Sequence, residues 1–153
     1  MTLKKILPWV AVTFWMALLF YLSHQPATTS NELSTGLTAV IIQTIEKVIP
    51  GVEFDLSWVN HLVRKSAHFM AYLVLGSLVI NALKGSRAVG YIGYKLVLLA
   101  LCICISYAIS DEVHQLFVPG RGGQLKDVIL DSAGATIGIY VFRYFSLKGT
   151  GVR

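Results

Sequence analysis

Residues 110–127 read SDEVHQLFVPGRGGQLKD and separate two apolar runs, LVLLALCICISYAI before them and VILDSAGATIGIYVF after them. The short segment carries five charged side chains and a histidine, although only 14% of the 153 residues are charged and 55% are hydrophobic. An ordinary soluble domain has roughly 25% charged residues. The chain therefore concentrates scarce polar groups between segments that are apolar enough to enter lipid.

Working outward from this segment, four apolar runs are visible: about 6–22, 67–83, 91–109 and 128–145. Each approaches the ~20 residues that a helix needs to cross a hydrocarbon core about 30 Å thick. Backbone groups in lipid must bond within their own segment, so each run is predicted to be an α-helix. The sequence thus predicts one domain, 1–153, with an all-α fold: a polytopic membrane bundle of four transmembrane helices.

The charges predict how the bundle is oriented. One side holds eight basic residues and no acidic one: Lys4, Lys5, Lys84, Arg87, Lys95, Arg143, Lys148 and Arg153. All eight Asp and Glu residues fall on the other side. The positive-inside rule then predicts a multi-pass plasma-membrane protein with both termini in the cytoplasm. The net charge of +5 is a topology signal of this kind and does not indicate a nucleic-acid partner.

The first outer connection, about 24–66, is long for a segment without regular structure. Four apolar residues recur in it at helical spacing: Leu37, Ile41, Ile45 and Val48. Pro50-Gly51 then ends the pattern. We predict an extra amphipathic helix here, lying on the outer membrane interface or capping the bundle. Asp55 or Ser57 is predicted to cap a further helix that leads into the second span.

Polar side chains recur at the outer end of every span. They are Ser23, Gln25, His61, Lys65, His68, Tyr72, Asp111, Glu112, His114, Gln115, Asp127 and Asp131. Within each span most are three or four residues apart, which places them on one helix face. An ionised group deep in a spanning helix costs roughly 2.5–3.5 kcal/mol, so such groups face partners or water. We therefore predict one hydrated pocket, open to the outside, between the converging helices.

The connection PGRGGQLKD, residues 119–127, has a composition that suits anion binding. Its glycines allow backbone N–H groups to turn toward one point, and Arg121 adds a planar fork of donors for phosphate or carboxylate. By spacing alone, a turn in which Arg121 pairs with Asp111 or Glu112 explains the segment equally well.

The fourth span contains GATIG, from Gly134 to Gly138. Glycines four residues apart allow two helix backbones to approach closely. We interpret this spacing as packing inside the bundle rather than contact between two chains.

Four segments together resemble the motifs of the VanZ-like family of small integral membrane proteins: LSHQ (22–25), RKSAHFMAYLVLG (64–76), SDEVHQLFVPGRGGQLKD and the following VILDSAGATIG. The resemblance covers nearly the whole chain. It implies a four-span membrane protein and a link to low-level resistance to teicoplanin, a glycopeptide that acts on cell-wall precursors outside the membrane. By position it implies these polar residues: Ser23, Gln25, Lys65, His68, Tyr72, Asp111, Glu112, Gln115, Arg121, Asp127 and Asp131. His24 stands where the family more often has a serine or another small residue, so no role is carried onto it.

The first functional hypothesis is a pocket that binds or processes an anionic lipid-linked cell-wall or envelope molecule, as a hydrolase or transferase would. Lys65, His68 and Arg121 would hold the phosphate or carboxylate. Asp111 or Glu112 would act as general base and His68 or His114 as acid, because grouped carboxylates in a low-dielectric cavity have shifted pKa values. The remaining ligand-binding candidates are Ser23, Gln25, Tyr72, Gln115, Asp127 and Asp131.

Three alternatives stay open. The same residues would serve a noncatalytic protein that binds or masks a cell-wall precursor or a glycopeptide drug. A metal-dependent membrane hydrolase is another, because the histidines and carboxylates are suitable ligand types; without an HExxH motif, we assign no metal site and no cofactor from the sequence. The last is an ion-paired polar core that holds the helices together and binds nothing.

Overall fold

The computed structural model describes residues 3–49, 54–86 and 93–149, and every regular element within them is an α-helix. The helices are α1 (Leu3–Ser23), α2 (Ala27–Val48), α3 (Leu56–Ser86), α4 (Tyr94–Gln115) and α5 (Leu125–Gly149). Four of them contain segments long and apolar enough to cross a membrane: Lys5–Ser23, Leu56–Gly85, Tyr94–Gln115 and Leu125–Lys148. The predicted all-α bundle with four candidate spans is confirmed within the described residues.

The helices extend beyond the apolar runs that predicted them. α3 begins at Leu56 and α4 ends at Gln115, so both include polar sequence at one end. Helical hydrogen bonds join backbone groups and do not require apolar side chains. The predicted start of the third span near residue 91 lies outside the described residues.

Three pairs of helices define how the bundle is arranged. Ion pairing of Lys65 with Asp127 and the bond from Lys84 to Ser146 join α3 to α5 near both ends, so these two helices run parallel. α1 and α4 are also parallel, because Tyr107 donates a hydrogen bond to the Met16 carbonyl (2.6 Å) and Ser23 donates one to Asp111 (2.8 Å). α1 runs antiparallel to α3, with Pro8 beside Gly85 and the Trp15 indole N–H bonded to the Ala71 carbonyl (2.9 Å).

One consequence is a bundle with two chemically different ends. The C-terminal ends of α1 and α4 meet the N-terminal parts of α3 and α5, and we call this the polar end; it contains Ser23, Lys65, Asp111 and Asp127. The opposite end carries Lys5, Lys84, Lys95, Arg143 and Lys148. Two further basic residues of the topology argument, Arg87 and Arg153, lie outside the described residues, as does most of the connection after Lys84. The assignment of the basic end to the cytoplasm stays a prediction.

Glycines bring α3 and α5 into the most extensive interhelical contact of the bundle. A Cβ atom on Gly134 would lie 2.4 Å from the Phe69 carbonyl oxygen, and one on Gly138 would lie 1.9 Å from that of Leu73. From α3, a Cβ on Gly76 would lie 2.2 Å from the Ala135 oxygen. The predicted packing of the GATIG segment inside the bundle is therefore confirmed. This contact holds Lys65 and His68 of α3 beside Asp127 and Asp131 of α5.

α2 lies against α3 through a polar face, Ser34 and Thr38, with Ile42 beside it. Thr38 donates to Asn60 (3.2 Å), and Asn60 donates to Asn31 (2.7 Å). Three of the four residues in the predicted apolar stripe are exposed, namely Leu37, Ile41 and Val48. α2 covers the segment in which a helix was predicted, and its amphipathic role stays a prediction. Ile41 and Val48 are exposed, whereas Leu37 also lines a cavity beside α1 and α3. The predicted stop at Pro50-Gly51 lies outside the described residues.

The connections on either side of the bundle follow local rules. Asp55 caps α3, because its Oδ1 atom accepts hydrogen bonds from the backbone N–H groups of Ser57 (2.8 Å) and Trp58 (3.3 Å). α4 ends at Gln115, before the Pro119-Gly120 break that the sequence indicated. Pro119 disfavours helical geometry in Val118, so the helix does not continue through this segment.

Candidate functional site

A cavity of about 250 Å³ lies at the polar end, between α1, α2, α3 and the connection that carries Arg121. Its apolar wall consists of Leu19, Leu22, Leu33, Leu37, Val63, Ala67 and Ala71. Its polar lining consists of Ser23, Gln25, Ser30, Ser34, Arg64, His68 and Arg121. We call this cavity the amphiphilic pocket, since it offers both kinds of surface to one ligand.

Two guanidinium groups line the amphiphilic pocket. Arg121 donates from Nη2 to the Ser30 hydroxyl (2.7 Å), and its buried Nε has no hydrogen-bond partner among the described residues. Burial lowers the pKa of Arg121, and the nearby positive charge of Arg64 lowers it further. Neither arginine forms an ion pair with a carboxylate in the described part of the chain. The alternative in which Arg121 pairs with Asp111 or Glu112 is therefore not what the structure shows.

Two glycines of the connection 119–127 occupy positions where a Cβ atom would be strained or would clash. Gly120 has a φ of +74°, a left-handed conformation that residues with a Cβ rarely adopt. Gly123 packs on the end of α4, where a Cβ would lie 2.5 Å from the Glu112 carbonyl oxygen. The backbone N–H of Gln124 is bonded to the Glu112 side chain (2.8 Å), so this amide anchors the connection to α4 and is not directed at the pocket.

Buried carboxylates of α4 lie beside the amphiphilic pocket. Asp111 accepts hydrogen bonds from Ser23 (2.8 Å) and from the Gln115 amide (3.2 Å). Gln115 also donates to Glu112 (3.3 Å). Ser23 is the member of this group that lines the pocket, and Gln115 and both carboxylates are buried behind it. The bond from Ser23 to Asp111 connects α1 to the end of α4, and the bond from the Gln124 backbone N–H to Glu112 connects the glycine-rich connection to it.

His68 faces a second buried carboxylate, that of Asp131 in α5. The His68 Nδ1 to Asp131 Oδ2 distance is 3.8 Å, which is too long for a hydrogen bond. Asp131 is completely buried, and neither of its carboxylate oxygens has a hydrogen-bond partner among the described residues. The Tyr72 hydroxyl is also buried and has no hydrogen-bond partner among the described residues. It lies close enough to Asp111 and Asp131 to interact with their carboxylates electrostatically.

Three of the predicted polar groups, Lys65, His114 and His61, have other environments. Lys65 forms a partly buried ion pair with Asp127, so its charge is already compensated. His114 is not among the residues that line the amphiphilic pocket. Its Nε2 atom lies 3.1 Å from Nδ1 of His24, and its ring packs on Phe20 with the ring centres 4.4 Å apart. His61, from the same stripe as Lys65, is exposed.

The structure thus divides the predicted residues among neighbouring environments. The amphiphilic pocket receives Ser23, Gln25, His68 and Arg121 from the predicted set. Gln25 also donates to the Tyr21 carbonyl (3.3 Å). Asp111, Glu112, Gln115, Asp131 and Tyr72 are buried, and Lys65 pairs with Asp127.

Ser30, Ser34 and Arg64 line the pocket but were not among the site residues predicted from the sequence. Ser30 and Ser34 are four residues apart on α2, so their shared face was readable from spacing. The partner of Ser30 was not readable, because Arg121 lies 91 positions away in the connection between α4 and α5.

Comparison with known proteins supports the resemblance on which the sequence reasoning drew. A family model described as VanZ/LLP1 matches residues 8–146, a range that includes every site residue above. The chain belongs to this family. No curated protein and no solved structure matches it. Membership of VanZ/LLP1 establishes the class of membrane protein, and the ligand has to be argued from the geometry of the polar end.

Proposed function

We propose that this VanZ/LLP1 protein binds an anionic, lipid-linked molecule of the cell envelope at the outer leaflet. The anionic group would lie at Arg64 and Arg121, and the first part of the lipid chain would lie along the apolar wall of the amphiphilic pocket. Binding of this kind is common to an enzyme that processes the molecule and to a protein that only holds or masks it.

The observation that carries the proposal is the pair of arginines in one pocket without a carboxylate partner. Two like charges close together repel each other, and partial burial of Arg121 removes water that would screen them. Basic and acidic groups are plentiful at the polar end, and Lys65 does have such a partner in Asp127. A bound phosphate or carboxylate would relieve the repulsion and would satisfy the unpartnered Nε of Arg121.

The apolar wall makes a lipid-linked anion a better fit than a free one. Leu19 and Leu22 of α1 face Leu33 and Leu37 of α2 across the cavity. A hydrated inorganic ion gains nothing from such a surface, whereas a lipid chain buries apolar area against it. The volume of about 250 Å³ is below the usual range for a pocket that encloses a whole drug-sized ligand. The head group and the first chain atoms would therefore lie inside, and the rest would remain in the bilayer.

The proposal also accounts for the exposed apolar residues of α2. Those outside the pocket, Val40, Ile41 and Val48, suit the membrane interface, where an amphipathic helix buries one face in the acyl boundary. α2 would then cover the amphiphilic pocket at the height of the lipid head groups. This position agrees with a polar end that faces the outside.

A binding measurement tests the proposal directly. Purified protein in detergent would be titrated with a polyprenyl phosphate, with the matching polyprenol and with inorganic phosphate, and complexes would be counted by native mass spectrometry. We expect the polyprenyl phosphate to bind more tightly than the other two. Losing a hydrogen bond to a charged group costs about 1.5–3 kcal/mol, so Arg121→Gln should weaken binding roughly 10- to 100-fold.

Lys126→Gln provides the matched control. Lys126 is an exposed cation at the start of α5, so the substitution removes the same charge from the same region without changing the pocket. Equal weakening by Lys126→Gln and Arg121→Gln would indicate nonspecific attraction to the basic surface and would contradict the proposal. Binding of polyprenol as tight as that of the phosphate would contradict the anion site, and binding of inorganic phosphate as tight as that of the lipid would contradict the chain site.

Turnover and resistance need separate measurements. A changed mass of the bound lipid, lost in Asp111→Asn or Glu112→Gln, would identify a hydrolase or transferase, whereas binding without product would identify a holding or masking protein. The teicoplanin resistance that the family resemblance implies stays a prediction. Its test is teicoplanin susceptibility in cells that express the natural protein or Arg121→Gln at equal levels.

A further inference from the structure

Three helices bring a histidine and two carboxylates together at the polar end. They are His68 of α3, Asp111 of α4 and Asp131 of α5. Each offers one ligand atom, and these atoms lie within 4.8 Å of one another. We call this group the HDD cluster. It adjoins the amphiphilic pocket, because His68 lines that pocket and Ser23, which also lines it, donates to Asp111.

The two carboxylates of the HDD cluster are buried, but only one of their four oxygen atoms accepts a hydrogen bond from the described residues. Asp131 is 0% exposed and Asp111 is 3% exposed. Both oxygens of Asp131 and the Oδ1 atom of Asp111 lack a hydrogen-bond partner among the described residues. A buried carboxylate is strongly disfavoured without hydrogen bonds or an opposite charge. Three unsatisfied oxygens in one buried place therefore indicate a missing positively charged or donating ligand.

The neighbouring cations do not supply that partner. Lys65 is paired with Asp127. The positive charge of Arg121 disfavours a positive charge on His68. Arg121 donates its hydrogen bond to Ser30 and lines the amphiphilic pocket. Among the described groups that face the cluster, this leaves His68, 3.8 Å from Asp131, as the nearest group that becomes a cation when it is protonated. Ser23, Tyr72 and Gln115 are neutral, and the other charged groups that act on the cluster, Glu112 and Asp127, are carboxylates.

We infer that the HDD cluster binds one divalent cation of the zinc or manganese class. One imidazole nitrogen and two carboxylate oxygens form a mixed ligand set that these ions accept, whereas magnesium and calcium prefer oxygen ligands alone. Metal–ligand distances of roughly 2.0–2.2 Å at tetrahedral angles place ligand atoms about 3.3–3.6 Å apart. Ligand atoms that lie within 4.8 Å of one another would therefore have to approach by up to about 1.5 Å, through rotation of the three side chains.

A metal ion at the HDD cluster would have three protein ligands, so some of its coordination positions would stay free. Three protein ligands with further positions for water or another ligand are the pattern of catalytic rather than structural zinc sites. His68 is 34% exposed on its side chain and lines the amphiphilic pocket, so those positions would open toward the pocket. Cation binding at the HDD cluster is independent of whether a lipid occupies the pocket, so this inference does not rest on the proposed function.

Manganese binding tests the inference without any lipid. The protein would be purified in detergent, treated with a chelator, freed of chelator and titrated with MnCl₂, and bound Mn²⁺ would be counted by electron paramagnetic resonance. We expect one Mn²⁺ per chain, with nitrogen coupling from His68 in the pulsed spectrum. Because losing even an outer-shell partner weakens metal binding roughly 10- to 100-fold, Asp131→Asn should weaken it by more than about tenfold.

Asp127→Asn is the matched control. It is the same substitution four residues earlier on α5, in a carboxylate that lies outside the HDD cluster. The natural affinity should be retained there. In His68→Gln, any Mn²⁺ that still binds should have lost the nitrogen coupling, which identifies the ligand independently of affinity.

Folding of the variants is checked by thermal unfolding with and without MnCl₂. Asp131→Asn removes a buried charge at constant size, so we expect it to fold and to lose the Mn²⁺-dependent rise in Tm that a ligand bound to the native state produces. Absence of Mn²⁺ binding by the natural protein, equal binding by Asp131→Asn, or equal loss in Asp127→Asn would each overturn the inference. The HDD cluster would then be a pair of carboxylates that share protons.

Discussion

The contact between α3 and α5 makes a quantitative prediction at Gly138. A Cβ there would lie 1.9 Å from the Leu73 carbonyl oxygen and 2.8 Å from its carbon. Ordinary contacts to Cβ atoms begin near 3.4 Å, so Gly138→Ala requires the two helices to separate by about 1.5 Å at this point. The obstructing atoms belong to the backbone, and no side-chain rotation can relieve the overlap.

The expected free energy combines three effects. Forcing extra volume into a packed contact costs typically about 1–3 kcal/mol. Separation also weakens the bond from Ser77 to the Gly138 carbonyl (3.0 Å), a contact worth about 0.5–1.5 kcal/mol. Alanine returns about 1 kcal/mol through its higher helix propensity. Gly138→Ala should therefore lower the free energy of unfolding by about 2 kcal/mol.

Gly36→Ala is the control, because a Cβ on Gly36 in α2 meets nothing within 4 Å. Here the same substitution should raise the free energy of unfolding by about 0.5–1 kcal/mol, through the backbone entropy that glycine loses on folding. Tryptophan fluorescence during unfolding by sodium dodecyl sulphate in mixed micelles measures both variants. The reasoning is refuted when Gly138→Ala is as stable as the natural protein, or when Gly36→Ala loses as much.

Separation of α3 from α5 also has a functional consequence. The same contact sets the distance between His68 and Asp131, which is 3.8 Å. If α5 moves by about 1.5 Å, the HDD cluster opens, and Gly138→Ala should bind Mn²⁺ more weakly although none of its ligands has changed. Gly36→Ala should bind as the natural protein does.

Two further substitutions test local features. Asp55→Ala removes the cap of α3 and should lower the free energy of unfolding by about 1 kcal/mol, whereas Asp55→Asn should retain most of it; the same micelle titration measures both, and an unchanged alanine variant would contradict the cap. Gly120→Ala places a Cβ on a residue with a φ of +74° and should cost about 1–2 kcal/mol. Gly122→Ala, which meets nothing within 4 Å, should change little, and equal losses in the two variants would show that the left-handed conformation is not required.

Several features of the fold were readable from short segments. Hydropathy predicted the four spans because lipid leaves a long apolar segment no alternative to helix. The cap at Asp55 and the packing glycines at Gly134 and Gly138 depend on residue type and local spacing, so they too were predictable. The end of α4 was not, since its polar part continues the helix to Gln115 without an apolar signal.

The candidate site was predictable as a region and not as a set of contacts. Helical spacing placed Lys65 and His68 on one face, but it did not separate their partners, Asp127 and Asp131. His114 shares a stretch of α4 with Asp111 and yet faces His24. Three residues turn an α-helix through about 300°, so Asp111 and His114 differ by about 60° around the helix axis and can face different surroundings.

By itself the sequence determined that this is a four-span helical protein of the VanZ-like type with its polar groups gathered at one end. The spans and the polar end follow from composition and from periodicity along single helices, which need no knowledge of neighbours, whereas the family type follows from the resemblance of the motifs. Only the tertiary structure decided that Arg121 meets Ser30 and Arg64 and that three helices direct His68, Asp111 and Asp131 toward one point. The rotation of each helix about its axis is set by close packing, above all at Gly138, and packing is a property of the assembled bundle.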